Sequence, residues 1–507
     1  MTKPRVSEDV SKESFNNYLR TLLHSRYGVA TLDYDKSIRA ICLHFFIHVL
    51  LMIDLLTIAI LGRSSDQFFV AEIVRERLAE EFNNMKDISE FWSYLETGPI
   101  NYYFQETLNP NYYHNSSSDK KWSVIAGDNL ICGTIRLRQI RIPHSLCHRE
   151  LYENHICFKP YTFKHNGRSA DQQMSANELF ITPYWIWSWI SSAIAGSNFI
   201  HGKLGTYGNE GYIVNLNTSI HFNTIRIRRL KFATWIDRAT RAVFIEFTTY
   251  NANVNLFCSV SLIFEIGVEG GMTSSVKVNT LKLPTYQSTQ EYWALGFNIS
   301  VLIFLAMYVI SIISRMMIMK SCIKPFTKDL WNILDLLAFI STIIGIIEFT
   351  KLHIYAKNKM KKLSNWNTGF FNIDKEIRTY TVYTDCIGLL GCFALVRTLR
   401  FLRYVTSTHK LMRTVYVGLL SVSSFCFIFC VVFVAFSFWA FLLFGPTLQS
   451  YSTSINSAYT LFLILIGEFD YTHFTNMPFW GPLFFCQFLC LVFFVLINMF
   501  IAIIAES

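Results

Sequence analysis

Toward the end of this 507-residue sequence, Ile466-Gly467-Glu468 stands between two long apolar runs, with Asp470 two residues further on. Glycine can aim its carbonyl where other residues cannot, and a carboxylate next to it, repeated around an axis, would attract cations and repel anions. That is the chemistry of ion passage rather than of bond making. Taken alone, Gly467-Glu468-Phe469-Asp470 also reads as an ordinary polar turn between two helices. The stretch lacks the Thr-Val-Gly-Tyr-Gly pattern that strips water from potassium, so sodium, potassium and calcium are all expected to pass.

A second set is Arg397, Arg400 and Arg403, every third residue of the apolar stretch Val396 to Val405. Charge in hydrocarbon is costly, so such a stripe suits a voltage sensor; otherwise the arginines snorkel to lipid phosphates or lock a bundle. A sensor needs acidic partners, for which Asp335 and Asp385 are available, whereas residues 292–313 contain none.

Other chemistries find little support. His144, His148 and His155 near Cys147 and Cys157 could pass for a metal cluster, but their spacing is not that of a zinc site and no nucleophile motif accompanies them. Cys426/Cys430 and Cys486/Cys490 sit at i, i+4 in apolar runs and read as buried thiols. No enzyme, resident metal or cofactor is expected. The net charge of +9 lies largely beside apolar runs, which favours a membrane surface over nucleic acid as its partner.

The elements that must position these residues are mostly apolar helices. With 52% apolar and 16% charged residues the chain reads as a membrane protein, while a mean hydropathy of only +0.30 requires a sizeable polar part. Six runs are long enough to cross a hydrocarbon core of about 30 Å. They lie near 38–61, 292–313, 331–350, 386–405, 418–444 and 481–505, after a polar segment 1–37 with no cleavable signal peptide. Basic residues before the first span put both termini in the cytosol. Lys351, Lys357, Lys359, Lys361 and Lys362 conflict with that plan, since they follow the third span on what should be the outer side. The resulting division is 1–37 cytosolic, 38–61 first span, 62–290 an outer α+β domain, 291–405 spans two to four, and 406–507 a pore domain. In the last, Ser452 to Leu465 is too short to cross and reads as a helix that enters and leaves by one face, its C-terminal carbonyls toward an ion.

Within the outer block, Trp185 to Ile190 and Gly211 to Leu216 read as strands and Phe82 to Leu95 as a helix. Cys147 and Cys157 are expected to form a disulfide in an oxidising compartment, and Asn115 and Asn217 head glycosylation sequons. Asn298 heads a third, but inside a span.

The run Trp235-Ile236-Asp237-Arg238-Ala239-Thr240-Arg241-Ala242-Val243-Phe244-Ile245-Glu246-Phe247-Thr248-Thr249-Tyr250-Asn251-Ala252-Asn253-Val254-Asn255-Leu256-Phe257 closely resembles the signature of the polycystin channels, relatives of the transient receptor potential channels. The likeness extends to Gly133–Arg141, Trp331–Asp335 and Asn498–Ile504, and so to nearly the whole chain. It implies an α-helical membrane protein of six transmembrane helices, a voltage-sensor-like bundle and a pore domain, with an α+β extracellular polycystin domain between the first two helices. It also implies a tetramer, three further polycystin-type subunits joining this one, or a heteromer with a receptor-like polycystin. Ile466, Gly467 and Glu468 then match the selectivity filter of a non-selective, calcium-permeable channel, with Asp470 as outer charge. Ile501 matches a hydrophobic constriction; at the lower gate Ala505 replaces the usual Asn. Two of the three arginines match basic residues of the family, while Asn298 stands where relatives carry Glu. Cys147 and Cys157 occupy the family's disulfide positions. No Lys or Arg follows Arg413, which separates the chain from the receptor-like branch. Plasma membrane, cilium and endoplasmic reticulum are all compatible locations.

Overall fold

The computed structural model describes residues 34–64, 66–97, 124–125, 129–147, 156–162, 184–190, 199–216, 220–283, 289, 292–293, 295–304, 306, 330–363, 369–402, 406–468, 479–496, 499 and 501. Its helices are α1 (Tyr34–Gly62), α2 (Asp66–Phe82), α3 (Ile88–Thr97), α4 (Ile220–Phe232), α5 (Leu330–Leu363), α6 (Asp374–Leu402), α7 (Thr406–Phe444), α8 (Ser454–Ile466) and α9 (Trp480–Phe488). The strands are β1 (Val124–Ile125), β2 (Asn129–Arg141), β3 (His144–Leu146), β4 (Ile156–Phe158), β5 (Trp189–Ile190), β6 (Phe199–His201), β7 (Thr206–Gly208), β8 (Gly211–Asn215), β9 (Thr240–Asn251), β10 (Leu256–Ile266) and β11 (Met272–Leu281). The chain forms two compact units, Met1–Leu395 and Val396–Ser507.

In the first unit an antiparallel sheet runs in the order β11-β10-β9-β2-β8-β5, with β1 paired to β2. Because side chains alternate along a strand, each long strand presents two different faces. Leu137, Val243, Ile245, Phe247, Val260, Leu262 and Phe264 line one face and form the main core. α2 covers that face with Val70, Val74, Leu78 and Phe82, spaced four apart, and α3 adds Phe91, whose ring stacks on Phe264 at 4.9 Å. The other face carries the polar residues Arg136, Arg138, Glu246, Thr248 and Ser259, all buried.

Two local expectations need correction. The helix expected over Phe82 to Leu95 is two helices, because Asp87 and Glu90 start a new one: Ser89 donates to Asp87 at 2.6 Å and the Lys86 amide to Glu90 at 2.8 Å. In Trp185 to Ile190 only Trp189–Ile190 is a strand, preceded by a tight 3-10 turn at Tyr184–Trp187. There the Ile186 carbonyl accepts from the buried Trp235 indole at 3.2 Å instead of joining a ladder.

Two helices outrun the expected spans. α5 continues to Leu363, beyond 350, and α6 begins at Asp374, well before 386. The extensions are helical because they dock: Leu352 and Ala356, with Phe371 and Ile373 between the helices, pack on Cys132, Phe257, Leu281 and Leu283 of the sheet domain. Residues 369–373, the described part of the connection between α5 and α6, therefore lie against the sheet domain. Lys351 to Lys361 belong to this docked extension rather than to a bare loop; being close to the span end, they still count against the expected topology under the charge rule. Lys359 Nζ lies 3.6 Å from Glu376 Oε1.

Among the described residues, four helical stretches are long and apolar enough to cross a membrane, within Cys42–Phe82, Ile333–Lys361, Asp374–Phe401 and Phe425–Phe444. Leu295–Phe304 and Trp480–Val492 are shorter apolar helices that overlap the second and sixth expected spans. Leu55 and Ile58 of α1, Val301, and Leu390 and Ala394 of α6 form a small core of their own.

In the second unit α7 packs with α8 and α9 around Phe484, whose ring lies 5.0 Å from Trp439, 5.4 Å from Phe444 and 5.8 Å from Phe436. Beyond Phe488 the helix widens into a π-helix over Leu489–Leu496, a rare form.

Candidate functional site

α8 is a short helix with well-made ends. Thr453 caps it, accepting from the Asn456 amide at 3.1 Å, and Thr460 donates back to the Ser450 carbonyl at 2.9 Å. At the other end Gly467 adopts φ +103°, a left-handed conformation natural to glycine, and no neighbour crowds it. The Gly467 amide bonds the Ile464 carbonyl at 3.1 Å and the Glu468 amide the Leu463 carbonyl at 3.0 Å, which stops the helix and turns the chain out. Ile466, Gly467 and Glu468 are all exposed on the single chain.

The buried side of α8, with Ser457, Leu461 and Ile464, faces its own unit. On the opposite side Ile455, Tyr459, Phe462 and Ile466 form an exposed apolar stripe at steps of four, three and four residues. Cys426, Cys430, Cys486 and Cys490 are exposed rather than buried, because the apolar faces bearing them are uncovered in one chain. Ile501 is 57% exposed. Asp470 and Ala505 lie outside the described residues, as do Arg403, Asn115 and Asn217.

In the charge stripe, Arg400 is buried and Arg397 half-buried on α6, and Asp335 is buried on α5. Asp385 is exposed. Asn298 accepts a hydrogen bond from Tyr383 at 2.8 Å, and Ser300 of the same sequon donates to Asp54, so this segment is occupied by the bundle's own contacts. His48 bonds the Ala394 carbonyl at 3.0 Å.

Cys147 and Cys157 are joined by a disulfide beside the β3–β4 pair, their Cα atoms 5.2 Å apart. No group of three metal-ligating side chains occurs among the described residues.

Sequence reasoning missed the charged centre of the sheet domain. Glu246 Oε2 accepts from Arg136 and Oε1 from Arg138, with Nη2 at 2.6 Å in each pair. Burial would raise the Glu246 pKa, but the charges of Arg138 and Arg136 outweigh it and hold the carboxyl at about 2. Arg136 also lies over the Phe370 ring at 3.8 Å, and Arg138 over Phe244 at 3.9 Å. Thr248 donates to the Phe371 carbonyl at 2.7 Å and Ser259 to Asp374 at 2.8 Å. Gly133, at φ +77°, meets Gly369 so closely that an added Cβ would lie 2.3 Å from its carbonyl oxygen. The available signal was Arg136 and Arg138 two apart on a strand, hence on one face, where two buried cations require an anion.

The model of the Polycystin domain matches residues 81–284 and that of the Polycystin cation channel residues 285–507. The chain is 26% identical to human Polycystin-2-like protein 1 over 475 residues, covering 91% of this chain and 57% of that protein. It is 24% identical to Polycystin-2 of Danio rerio over 503 residues, covering 96% of this chain and 54% of the relative. It is also 25% identical to the human Polycystin family receptor for egg jelly over 493 residues, which is 91% of this chain but 20% of the receptor. The chain thus spans little more than half the length of the first two relatives. A sheet domain that meets the α5–α6 connection through Arg136 and Thr248, apolar helices suited to a bilayer, and two adjoining family matches from residue 81 to residue 507 agree: the chain is an integral membrane protein that belongs to the polycystin channel family.

Proposed function

We propose that this chain is a subunit of a tetrameric, non-selective, calcium-permeable cation channel, with six transmembrane helices and the sheet domain outside. The observation that carries the reading is α8, whose exposed apolar stripe Ile455, Tyr459, Phe462 and Ile466 ends at the left-handed Gly467 and the exposed Glu468. Apolar surface of that extent beside a carboxylate suits a helix packed between neighbouring subunits, with its terminal carbonyls and charge turned to a shared axis. Four copies of Ile466, Gly467 and Glu468 would form the filter, Asp470 the outer charge, and Ile501 with Ala505 the gate. Sodium, potassium and calcium are the permeant ions, and no cofactor takes part. Arg397, Arg400 and Arg403, with Asp335, would form a voltage-sensing set; Asn115 and Asn217 would carry glycans. Plasma membrane, cilium or endoplasmic reticulum would be its location.

A second reading is supported by the likeness to the receptor for egg jelly: a receptor-like or assembly subunit that joins another pore-forming polycystin and conducts little alone. Recording from membranes that contain this chain and no other polycystin tests the choice. Currents carried by sodium and calcium, and abolished when a large organic cation replaces them, support the channel. Silence despite delivery to the recorded membrane would favour the assembly subunit.

A further inference from the structure

α4 carries Arg226, Arg228, Arg229 and Lys231 within its 13 residues, and no acid. Its inner side is explained by the domain itself. Ile227 and Leu230 are buried in the main core, and Arg226 is turned back over Phe222 and Trp185 and donates to the Asn215 carbonyl. The outer side has no such explanation. Arg228, Arg229 and Lys231 are exposed together, and Phe232, which falls between Arg228 and Arg229 around the helix axis, is 92% exposed.

The domain's own acids leave most of this charge unmatched. Glu96 on α3 lies 3.5 Å from Lys231 Nζ, whereas among the described residues Arg228 and Arg229 have no acid partner. A cation in the last turn of a helix is favoured by the helix dipole, but Arg228 and Lys231, one turn apart, repel each other. An anion laid across both would relieve that repulsion.

The arrangement narrows the choice of anion. Arg228 and Lys231 stand about 4.5 Å apart along the axis of a convex surface, with Arg229 to one side, so the three do not converge on a single phosphate. They suit a chain that repeats its charges. A lipid surface is disfavoured by placement, since α4 covers the apolar face of the sheet while the α5–α6 connection meets the opposite, polar face. A protein partner is disfavoured by size: α4, about 20 Å long, offers one narrow side, short of the roughly 800 Å² that a standard interface covers on each partner. We propose that the outer side of α4 binds a sulfated polysaccharide. Arg228 and Arg229 present planar forks that match sulfate as they match phosphate, Lys231 adds a point charge, and the Phe232 ring receives the C–H face of a sugar. Short basic runs of this kind serve as patches for such polymers. The inference rests on the proposed position of the sheet domain outside the membrane, where these polymers occur.

Surface plasmon resonance of the full chain, in nanodiscs of zwitterionic phospholipid passed over immobilised heparin, tests the site without reference to ion conduction. Saturable binding at micromolar concentration or below is expected, weakening as salt rises. Soluble heparin should compete, and heparin stripped of its sulfates should not. The double variant Arg228→Gln, Arg229→Gln is expected to weaken binding roughly ten-fold or more. Arg77→Gln with Lys357→Gln, which removes two exposed cations elsewhere, should leave it unchanged. Both faces are in reach in a nanodisc, so this result is independent of where the sheet domain lies, which impermeant labelling of Lys357→Cys reads separately. Absence of saturable binding, undiminished affinity in the α4 variant, an equal loss in the two double variants, or displacement by polyglutamate or phosphatidylserine vesicles as effective as by soluble heparin would overturn the proposal.

Discussion

Arg136 and Glu246 stand directly opposite each other in the register of β2 and β9, and the guanidinium gives two hydrogen bonds to one carboxylate oxygen, at 2.9 and 2.6 Å. The other oxygen takes the same pair of bonds from Arg138. One buried carboxylate thus pairs with two buried cations, of which Arg136 reaches the α5–α6 connection at Phe370 and Arg138 the turn around Asn209.

Removing that carboxylate should be expensive. Glu246→Gln leaves Arg136 and Arg138 buried without a counter-charge, and we expect a loss of roughly 3–5 kcal/mol in stability, read as a lower thermal midpoint of the sheet domain in the full chain.

Acid should act on the same group. The Glu246 carboxyl is held at about 2 against an ordinary 4.5, so the folded state takes up its proton less readily than the unfolded one. Its contribution, about 3 kcal/mol, is complete above the ordinary value and drains away as pH falls from 4.5 toward 2. Unfolding measured across that window should show this loss in the parent and a shallower slope in Glu246→Gln.

The docking of Leu352 and Ala356 places the α5 extension against the sheet domain, so the two are expected on one side of the membrane. Lys357, exposed on that extension, tests it: Lys357→Cys should react with an impermeant maleimide applied from the side of the sheet domain, above the background of the parent. Labelling only from the opposite side would contradict the docking.

Much of this was legible in the sequence, and what was not has physical causes. The short helix α8 was readable because an apolar period of limited length ends at Gly467, and a left-handed glycine is a common helix stop. The extensions of α5 and α6 were not readable from hydropathy. Leu352 and Ala356 lie at i, i+4 among lysines, and that spacing gains meaning only from the sheet surface they cover. Likewise Glu246 stands 110 positions from Arg136, so no local pattern joins them. The break after Phe82 could have been found, since Asp87, Ser89 and Glu90 are helix-starting residues within an otherwise helical pattern.

In the second unit, Phe484 is the ring about which α7, the turn before α8 and α9 meet. Phe484→Ala should open a cavity costing roughly 3–5 kcal/mol. We expect a lower thermal midpoint, while the disulfide Cys147–Cys157 and the fold of the sheet domain are unaffected by proteolysis under native conditions.

The central claim is that Glu468, turned out of α8 by Gly467, supplies the charge that admits cations. The most direct test is the reversal potential in asymmetric sodium chloride, recorded from membranes containing only this chain, for the parent and for Glu468→Gln and Glu468→Lys. The parent potential is expected near that of sodium, with a collapse toward zero in Glu468→Gln and a shift toward the chloride potential in Glu468→Lys. A cation-selective potential that persists unchanged in both variants would contradict it.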